Sequence, residues 1–384
     1  MPWFDHNATA PLSPEARAAW LEAADSFWQN PSAPTAPCAR AHAKLEQCRE
    51  RLAAVFDEHE KEVVVFNSGA TEGNNAVMAC EASKPGAGRA LVSAVEHPSV
   101  LEPARRHFGE RLTVVPVDRQ GRLDLNAFDA ELRRGGVSFV SVMAANNETG
   151  VLQPWMQAAK LAASRGAKIH CDATQWLGRL PADGLAHLDY VTAGGHKFGA
   201  PKGVGVLLVR RCNRDFRGQL GGDQENGRRA GTENLAGIAA FTAALEAANA
   251  ELPSHLHERL AWRSAFEAAI VEAIPDTEVV GADAERLWNT VSLCMPRHVG
   301  SRWVARLDRR DFQVAIGSAC STGAGKSSAV LAAMGLPEHE ARRTLRVSSG
   351  RFTTEADWRA LADAFIAVSA ELDGDSGLSR AISV

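Results

Sequence analysis

Alternating helical and strand patterns run through the first half of the chain, from about residue 40 to residue 210. Leu45, Cys48 and Leu52 belong to an apolar series at helical spacing that predicts one buried helix face. Short apolar runs, several of them separated by helical stretches, predict strands at 62–66, 90–95, 112–117, 137–145, 167–173, 188–194 and 203–210. Runs that are apolar throughout are typical of a mostly parallel sheet covered by helices on both faces.

The pattern changes after Thr232, where a long Ala/Leu-rich segment predicts a helix interrupted at Pro253. A mixed helix and strand pattern with a second set of apolar positions follows. A chain of 384 residues is also too long for one simple core. We therefore expect an α/β protein in which residues 14–255 form a large domain with a seven-stranded sheet. Residues 1–13 and 256–384 should form a small α+β domain.

Composition and charge indicate an ordinary globular protein. The net charge is −4, and 45% of the residues are hydrophobic, so the chain lacks the basic excess expected of a nucleic-acid-binding protein. No apolar run reaches bilayer length, and the first residues do not resemble a signal peptide. The seven cysteines are scattered, with no C-x-x-C pair. These features predict a reduced, cytoplasmic protein with no membrane association.

Two residues at the ends of neighbouring predicted strands point to cofactor chemistry. Asp172 ends the strand "AKIHCDA", and Lys197 follows the strand "LDYVTAG" in "GGHKFGAPKG". A lysine that forms a Schiff base and an acid that pairs with a pyridinium nitrogen are what pyridoxal phosphate (PLP) requires. Taken singly, a turn-capping aspartate and a solvated surface lysine explain the same residues.

Two further motifs support this interpretation. In "VVVFNSGATEGNN", a strand leads through Gly69 and Thr71 into a helix, which makes an anion site at the helix N-terminus. A plain threonine N-cap is the alternative. In "VEHPSV", His97 follows another strand at the same sheet edge, where an imidazole can stack on a flat ring or move protons.

The segment "IGSACSTGAGKSS" allows two interpretations. Its second half nearly matches the phosphate-binding P-loop, but Cys320 stands where the pattern needs its first glycine. The alternative is a reactive cysteine carried on a mobile arm rich in glycine and serine. The absence of a recognisable magnesium-binding aspartate favours the cysteine.

Eight motifs taken together resemble a known family. "GATEGNN", "EHPSV", "NNETG", "HCDATQ", "GGHKFGAPKG", "GGDQENGRRAGTEN", "GSACSTGAGKSS" and "LRVSSGRFT" occur in this order. The set resembles the cysteine desulfurases of the NifS/IscS type, within the class V aminotransferase family of fold-type I PLP enzymes. Agreement of eight motifs is far more specific than a match to any one of them.

The resemblance implies which residues bind the PLP ring. Lys197 would bind the PLP aldehyde, and Asp172 would pair with the ring nitrogen. Gln175 would donate a hydrogen bond to the phenolic oxygen of the ring. His97 would stack on the ring and assist proton transfer.

The resemblance also implies a phosphate site. Ala70, Thr71 and His196 would hold the phosphate, and Thr232 would reach in from the partner subunit of a homodimer. Gly194 stands where the family usually has a serine or threonine hydroxyl. Whether Thr192 supplies that hydroxyl is left open.

The implied reaction converts L-cysteine to L-alanine. Asn147, next to the cofactor, and Arg346 would bind the substrate carboxylate, and Cys320 would carry the sulfur as a persulfide. The sulfur would pass to a protein acceptor, with iron–sulfur cluster assembly, tRNA thiolation and DNA modification as candidate uses. The alternatives are a selenocysteine lyase or another PLP aminotransferase or lyase, and, more remotely, a nucleotide-binding protein.

Overall fold

A computed structural model describes residues 3–57, 63–317 and 328–381, with the backbone alone for residues 375–381. The described helices are α1 (Pro14–Ser26), α2 (Ala36–Val55), α3 (Ala70–Ser83), α4 (Pro98–Phe108), α5 (Leu125–Arg133), α6 (Trp155–Ala163), α7 (Leu235–Ala273), α8 (Gly300–Asp308), α9 (Ala329–Ala333), α10 (Glu338–Ala341) and α11 (Glu355–Ala381). The described strands are β1 (Val64–Asn67), β2 (Arg89–Ser93), β3 (Leu112–Val115), β4 (Val137–Ser141), β5 (Lys168–Asp172), β6 (Tyr190–Gly194), β7 (Gly205–Val209), β8 (Glu278–Val279), β9 (Thr290–Cys294), β10 (Ala315–Ile316) and β11 (Thr344–Ser348).

The seven predicted strands form one sheet, in the order β1-β7-β6-β5-β4-β2-β3. Only β7 runs against its neighbours, so the prediction of a mostly parallel seven-stranded sheet is confirmed. Because the other six strands share one direction, their carboxyl ends meet at one edge of the sheet, where α/β proteins bind ligands. The four later strands form a smaller antiparallel sheet, β10-β11-β9-β8.

Two apolar cores are joined by the 39-residue helix α7. The first half of α7, with Ile238 and Phe241, packs in the core of the large sheet. The second half, with Phe266 and Ile270, packs in the core around the small sheet. The predicted interruption at Pro253 is wrong, because α7 continues through it. A helix can pass through a proline when packing along both halves offsets the lost hydrogen bond.

The N-terminal segment belongs to the core of the small sheet. Phe4 is fully buried there, with its ring 5.1 Å from that of Trp358. Its backbone N–H donates to the Gln313 carbonyl over 2.9 Å. This contact supports the grouping of residues 1–13 with the C-terminal part of the chain. The limits of the two domains stay a prediction.

A buried ion pair closes the outer edge of the large sheet at β1. The Arg49 guanidinium donates to both carboxylate oxygens of Glu225, over 2.7 and 2.9 Å. Arg49 also donates to the Val64 carbonyl, and Glu225 accepts from the Phe66 N–H over 2.8 Å. Two side chains thus satisfy backbone groups of an edge strand, which would otherwise be buried without partners.

We expect Arg49→Ala to lower the free energy of unfolding by about 3–5 kcal/mol, because it leaves the Glu225 charge buried and unpaired. Arg51 offers a matched control on the same helix, since its pair with Glu246 is partly exposed. Arg51→Ala should cost about 1 kcal/mol or less. Urea unfolding at one protein concentration would compare the variants, and equal losses would contradict the structural role of the buried pair.

Candidate active site

Three predicted catalytic side chains converge at the shared edge of the large sheet. Asp172 ends β5, Lys197 follows β6 by three residues, and His97 caps the helix after β2. Burial lowers the pKa of His97; the Asp172 carboxylate acts to raise it, and the Lys197 ammonium to lower it. The structure therefore brings the three groups within electrostatic reach of one another, with a neutral imidazole favoured.

Asp172 is 6% exposed and is held by neutral donors. Its Oδ2 accepts from the Asn74 side-chain amide over 2.8 Å, and its Oδ1 accepts from the Thr174 N–H over 3.0 Å. These hydrogen bonds stabilise the charged carboxylate. A buried carboxylate with this support is suited to pair with a protonated ring nitrogen.

Lys197 ends a short 3₁₀ turn, Gly195–Lys197, that packs tightly against α7. A Cβ at Gly195 would lie 2.6 Å from the Phe241 ring, so only glycine fits there. The Lys197 ammonium donates to the carbonyls of Asn7 and Ala8, over 2.7 and 2.8 Å. The ammonium is thus held by backbone oxygen atoms of the N-terminal segment.

Gln175 is fixed from two sides. Its Nε2 donates to the Asn7 carbonyl over 3.1 Å, and its Oε1 accepts from the buried guanidinium of Arg179. Because Arg179 can only donate, the amide must present its nitrogen to the opposite side. Arg179 also donates to the Lys197 carbonyl, over 3.2 Å. Burial lowers the pKa of Arg179 to about 9.

A candidate phosphate site lies where α3 begins. Gly69 precedes the helix with φ 148°, and no described side chain caps its first turn. A Cβ at Gly194 would lie 3.6 Å from the Ala70 nitrogen and 3.7 Å from the His196 ring, so these residues surround one space. Burial, followed by the nearby Lys197 charge, lowers the pKa of His196 to about 4. Uncapped N–H groups and a helix dipole fit the phosphate of PLP.

Two sequence questions are answered here. Thr71 is exposed in the first turn of α3, and Gly69 occupies the N-cap position, so Thr71 is not the N-cap. Thr192 does not replace the hydroxyl that Gly194 lacks, because its Oγ1 donates to Asn74 inside the protein.

Arg346 lies on β11 and is 1% exposed. Its Nη2 donates to Asp5 over 2.7 Å, and its Nη1 donates to the carbonyls of Asn147 and Gly317, over 3.1 and 3.4 Å. Among the described residues its Nε–H has no acceptor. Asn147 and Arg346, predicted together from sequence, are therefore in direct contact.

The N-terminal residue Asn7 joins these groups, and sequence reasoning missed it. Its side-chain amide donates to the Asn147 carbonyl over 3.1 Å, while its own carbonyl accepts from Lys197 and Gln175. The signal was present, because "FDHNATAPL" opens the region of family resemblance. Asp5, Asn74 and Arg179 were also missed, since their roles depend on contacts between distant segments.

The remaining site residues predicted from sequence are Cys320 and Thr232. Cys320 and the P-loop-like segment from Cys320 to Ser327 lie outside the described residues. The flanking Ser328 donates to Glu148 over 2.5 Å, next to Asn147. Thr232 is described and is exposed, in the segment that precedes α7.

Comparisons with known proteins agree with this geometry. The family model for class V aminotransferases matches residues 2–361. The chain belongs to the class V aminotransferase family. Members of this family depend on PLP, and the fold is that of fold-type I PLP enzymes.

Three similar proteins are informative. The chain is 38% identical to cysteine desulfurase 2 of Trichormus variabilis, over 92% of this chain and 89% of the relative. It is 36% identical to the cysteine desulfurase NifS of Azotobacter vinelandii, with the same coverage. The solved NifS-like protein of Rickettsia africae superposes with a TM-score of 0.87 at 28% identity, covering 96% of this chain and 99% of that structure.

Within the described residues, no helix is long and apolar enough to cross a bilayer.

We expect Gly194→Ser to tighten PLP binding about fivefold, because it adds a hydroxyl donor beside the Ala70 N–H, worth about 1 kcal/mol. The φ of Gly194 is −110°, and the neighbouring atoms leave room for a side chain. Gly194→Ala is the control, since it adds the Cβ without the hydroxyl. PLP titration of the cofactor-free proteins would measure both, and equal affinities of the serine and alanine variants would refute the prediction.

Proposed function

We propose that the protein is a PLP-dependent cysteine desulfurase that converts L-cysteine to L-alanine and keeps the sulfur as a persulfide on Cys320. The observation that carries the proposal is the placement of Asp172 at the end of β5 and of Lys197 just after the neighbouring β6, with both charges acting on His97. Relatives named cysteine desulfurase, matched over most of the chain, support the choice of reaction.

The residues of the sheet edge would hold the cofactor. Lys197 would be the covalent attachment point, Asp172 would pair with the ring nitrogen, and Gln175 would donate to the phenolic oxygen. The N–H groups of Ala70 and Thr71, with His196, receive the phosphate. Bound there, PLP supplies an electron sink that makes the substrate Cα proton acidic.

His97 would handle a proton beside the cofactor. The Ser99 N–H donates to its Nδ1 over 3.1 Å, and a backbone N–H can only donate. The neutral imidazole therefore carries its proton on Nε2. Burial keeps the imidazole neutral by lowering its pKa, so His97 can accept or donate a proton near neutral pH.

Arg346 and Asn147 would orient the substrate carboxylate. Three of the five N–H bonds of Arg346 point to Asp5, Asn147 and Gly317. Among the described residues, the Nε–H has no acceptor and only one of the two Nη2–H bonds has one, which leaves two N–H bonds for a bidentate contact with a carboxylate. The Asp5 pair holds the guanidinium in place before substrate arrives.

Cys320 would take the sulfur. Its thiolate forms a bond to the substrate sulfur as the substrate Cβ–S bond breaks, and protonation of that carbon gives alanine. A protein acceptor would then receive the sulfur; we propose a scaffold for iron–sulfur cluster assembly, with tRNA thiolation and DNA modification as other candidate uses. The proposed location is the cytoplasm.

The proposed assembly is a homodimer in which Thr232 contacts the phosphate in the neighbouring subunit. Thr232 is exposed, and the segment that carries it is tied to α3 by an ion pair of 2.8 Å between Arg229 and Glu72. This anchor supports a fixed arm that presents Thr232 outward.

The reaction is tested by supplying L-cysteine to the PLP-loaded protein and measuring alanine and the persulfide on the Cys320 peptide. Cys320→Ser should lower alanine formation more than about a hundredfold while PLP stays bound. Cys212→Ser is the matched control, because Cys212 is an exposed cysteine far along the chain from Cys320. Borohydride should fix the cofactor to Lys197. Labelling of another lysine, or normal turnover by Cys320→Ser, would refute the proposal.

Substrate orientation is tested with Arg346→Ala. Loss of a charge-assisted bond costs roughly 1.5–3 kcal/mol, so KM for cysteine should rise about ten- to a hundredfold with PLP retained. Arg342→Ala, at an exposed arginine four residues earlier in the chain, should leave KM unchanged. If kcat and KM are unchanged in Arg346→Ala, this arginine only forms a structural ion pair with Asp5 and does not bind the substrate.

A further inference from the structure

Asn74 occupies a fully buried position in the second turn of α3, between the sheet and α4. Its Nδ2 donates to Asp172 Oδ2 over 2.8 Å and to Ser99 Oγ over 2.9 Å. Its Oδ1 accepts from Thr192 Oγ1 over 2.5 Å. One amide therefore contacts β5, β6 and α4 together.

The direction of every hydrogen bond in this network follows from the Asp172 carboxylate. An ionised carboxylate can only accept, so the nitrogen of Asn74 must face it and the oxygen must face Thr192. The Thr192 hydroxyl then donates to Asn74 and accepts from His170 Nε2 over 3.1 Å. His170 Nδ1, in turn, accepts from Ser141 Oγ over 2.8 Å.

A second branch leads from Asn74 to His97. The Ser99 N–H makes His97 Nδ1 an acceptor, so the Ser99 hydroxyl, which accepts from Asn74, directs its own proton to that nitrogen, 2.7 Å away. The Ser99 N–H donates to the same nitrogen over 3.1 Å. Two donors on Nδ1 oppose its protonation. Among the described residues, the charged groups that act on the imidazole are Asp172, from β5, and Lys197, after β6.

Close packing of α3 on β6 allows the Asn74 side chain to reach its hydrogen-bond partners on the sheet. A Cβ at Gly73 would lie 2.8 Å from Thr192 Cγ2 and 3.1 Å from Asn67 Nδ2. The absence of a side chain at Gly73 lets the helix approach the sheet closely enough for the short Asn74 side chain to bridge both strands.

We propose that Asn74 is a positioning residue that fixes the Asp172 carboxylate and, through Ser99, the Nδ1-accepting state of His97. The role of these two residues toward PLP rests on the proposed function, whereas the hydrogen-bond link is a property of the chain. One buried amide thus positions two of the side chains that would contact the cofactor ring.

The test replaces Asn74 and follows His97 directly. In the wild-type protein and in Asn74→Ala, the ring nitrogens of His97 are titrated by NMR with 15N-labelled histidine, with and without PLP. The His97 signal is assigned by its loss in His97→Gln. Without Asn74, the Ser99 hydroxyl loses the described donor that orients it, the Asn74 side-chain amide, so it can rotate and accept from a protonated Nδ1. The pKa of His97 should therefore rise by about 1, a tenfold gain in the ratio of protonated to neutral imidazole at a given pH.

Turnover provides a second readout. In the PLP-loaded protein, Asn74→Ala should lower kcat for alanine formation about ten- to a hundredfold, with KM for cysteine changed less than about threefold. Asn75→Ala is the matched control, because the neighbouring Asn75 is exposed and donates only to the Thr71 carbonyl among the described contacts. It should leave kcat and the His97 titration unchanged.

Ser99→Ala keeps the test decisive if Asn74→Ala does not fold. It removes the hydroxyl donor to His97 Nδ1 and keeps the Ser99 N–H, so the pKa of His97 should still rise while Asp172 keeps its Asn74 donor. If Asn74→Ala folds and the pKa of His97 is unchanged, the inference is overturned. If only Ser99→Ala folds, an unchanged pKa of His97 in that variant overturns it. Failure of the wild-type protein to form alanine would instead overturn the proposed function, because the titration of the PLP-free protein still tests the link.

Discussion

The parallel register of β5 against β6 is the constraint on which the site depends. It sets Asp172 directly opposite Thr192, with Gly194 two residues further along β6. The same alignment places the acid at the end of β5 and the lysine that follows β6 at one edge of the sheet, where both act on His97. A shift by one residue would turn Asp172 to the opposite face and separate the two groups.

Many polar groups near these two strands are buried, and residues that are distant in the chain supply their hydrogen-bond partners. The Asn7 carbonyl accepts from Lys197 and Gln175, which lie more than 160 residues away in the chain. Arg179 is a buried cation whose described hydrogen bonds all go to neutral oxygens: the carbonyls of Gln175, His6 and Lys197, and the Gln175 side chain. Such groups are costly to desolvate unless every donor finds a partner, so the N-terminal segment is a structural part of the site.

The sequence was sufficient for the strands and for the residues that end them. Apolar runs of four to eight residues mark buried strands, and polar residues directly after them fall at one edge because the strands are parallel. Asn74 and Arg179 could not be assigned in this way, because the acceptors that define them come from other segments. Pro253 was misjudged for a related reason: local propensity predicts a break, whereas packing of both halves of α7 favours continuity.

The continuity of α7 has a consequence for how the chain tolerates insertions. An α-helix turns by about 100° for each residue. One residue inserted near Pro253 would rotate the face that carries Phe266 and Ile270 by that angle relative to the face that carries Ile238 and Phe241. Both faces are buried, in different cores. The helix therefore fixes the rotation of one buried face relative to the other. Insertions or deletions in its middle preserve the packing of both cores only when their length is close to a whole number of helical turns.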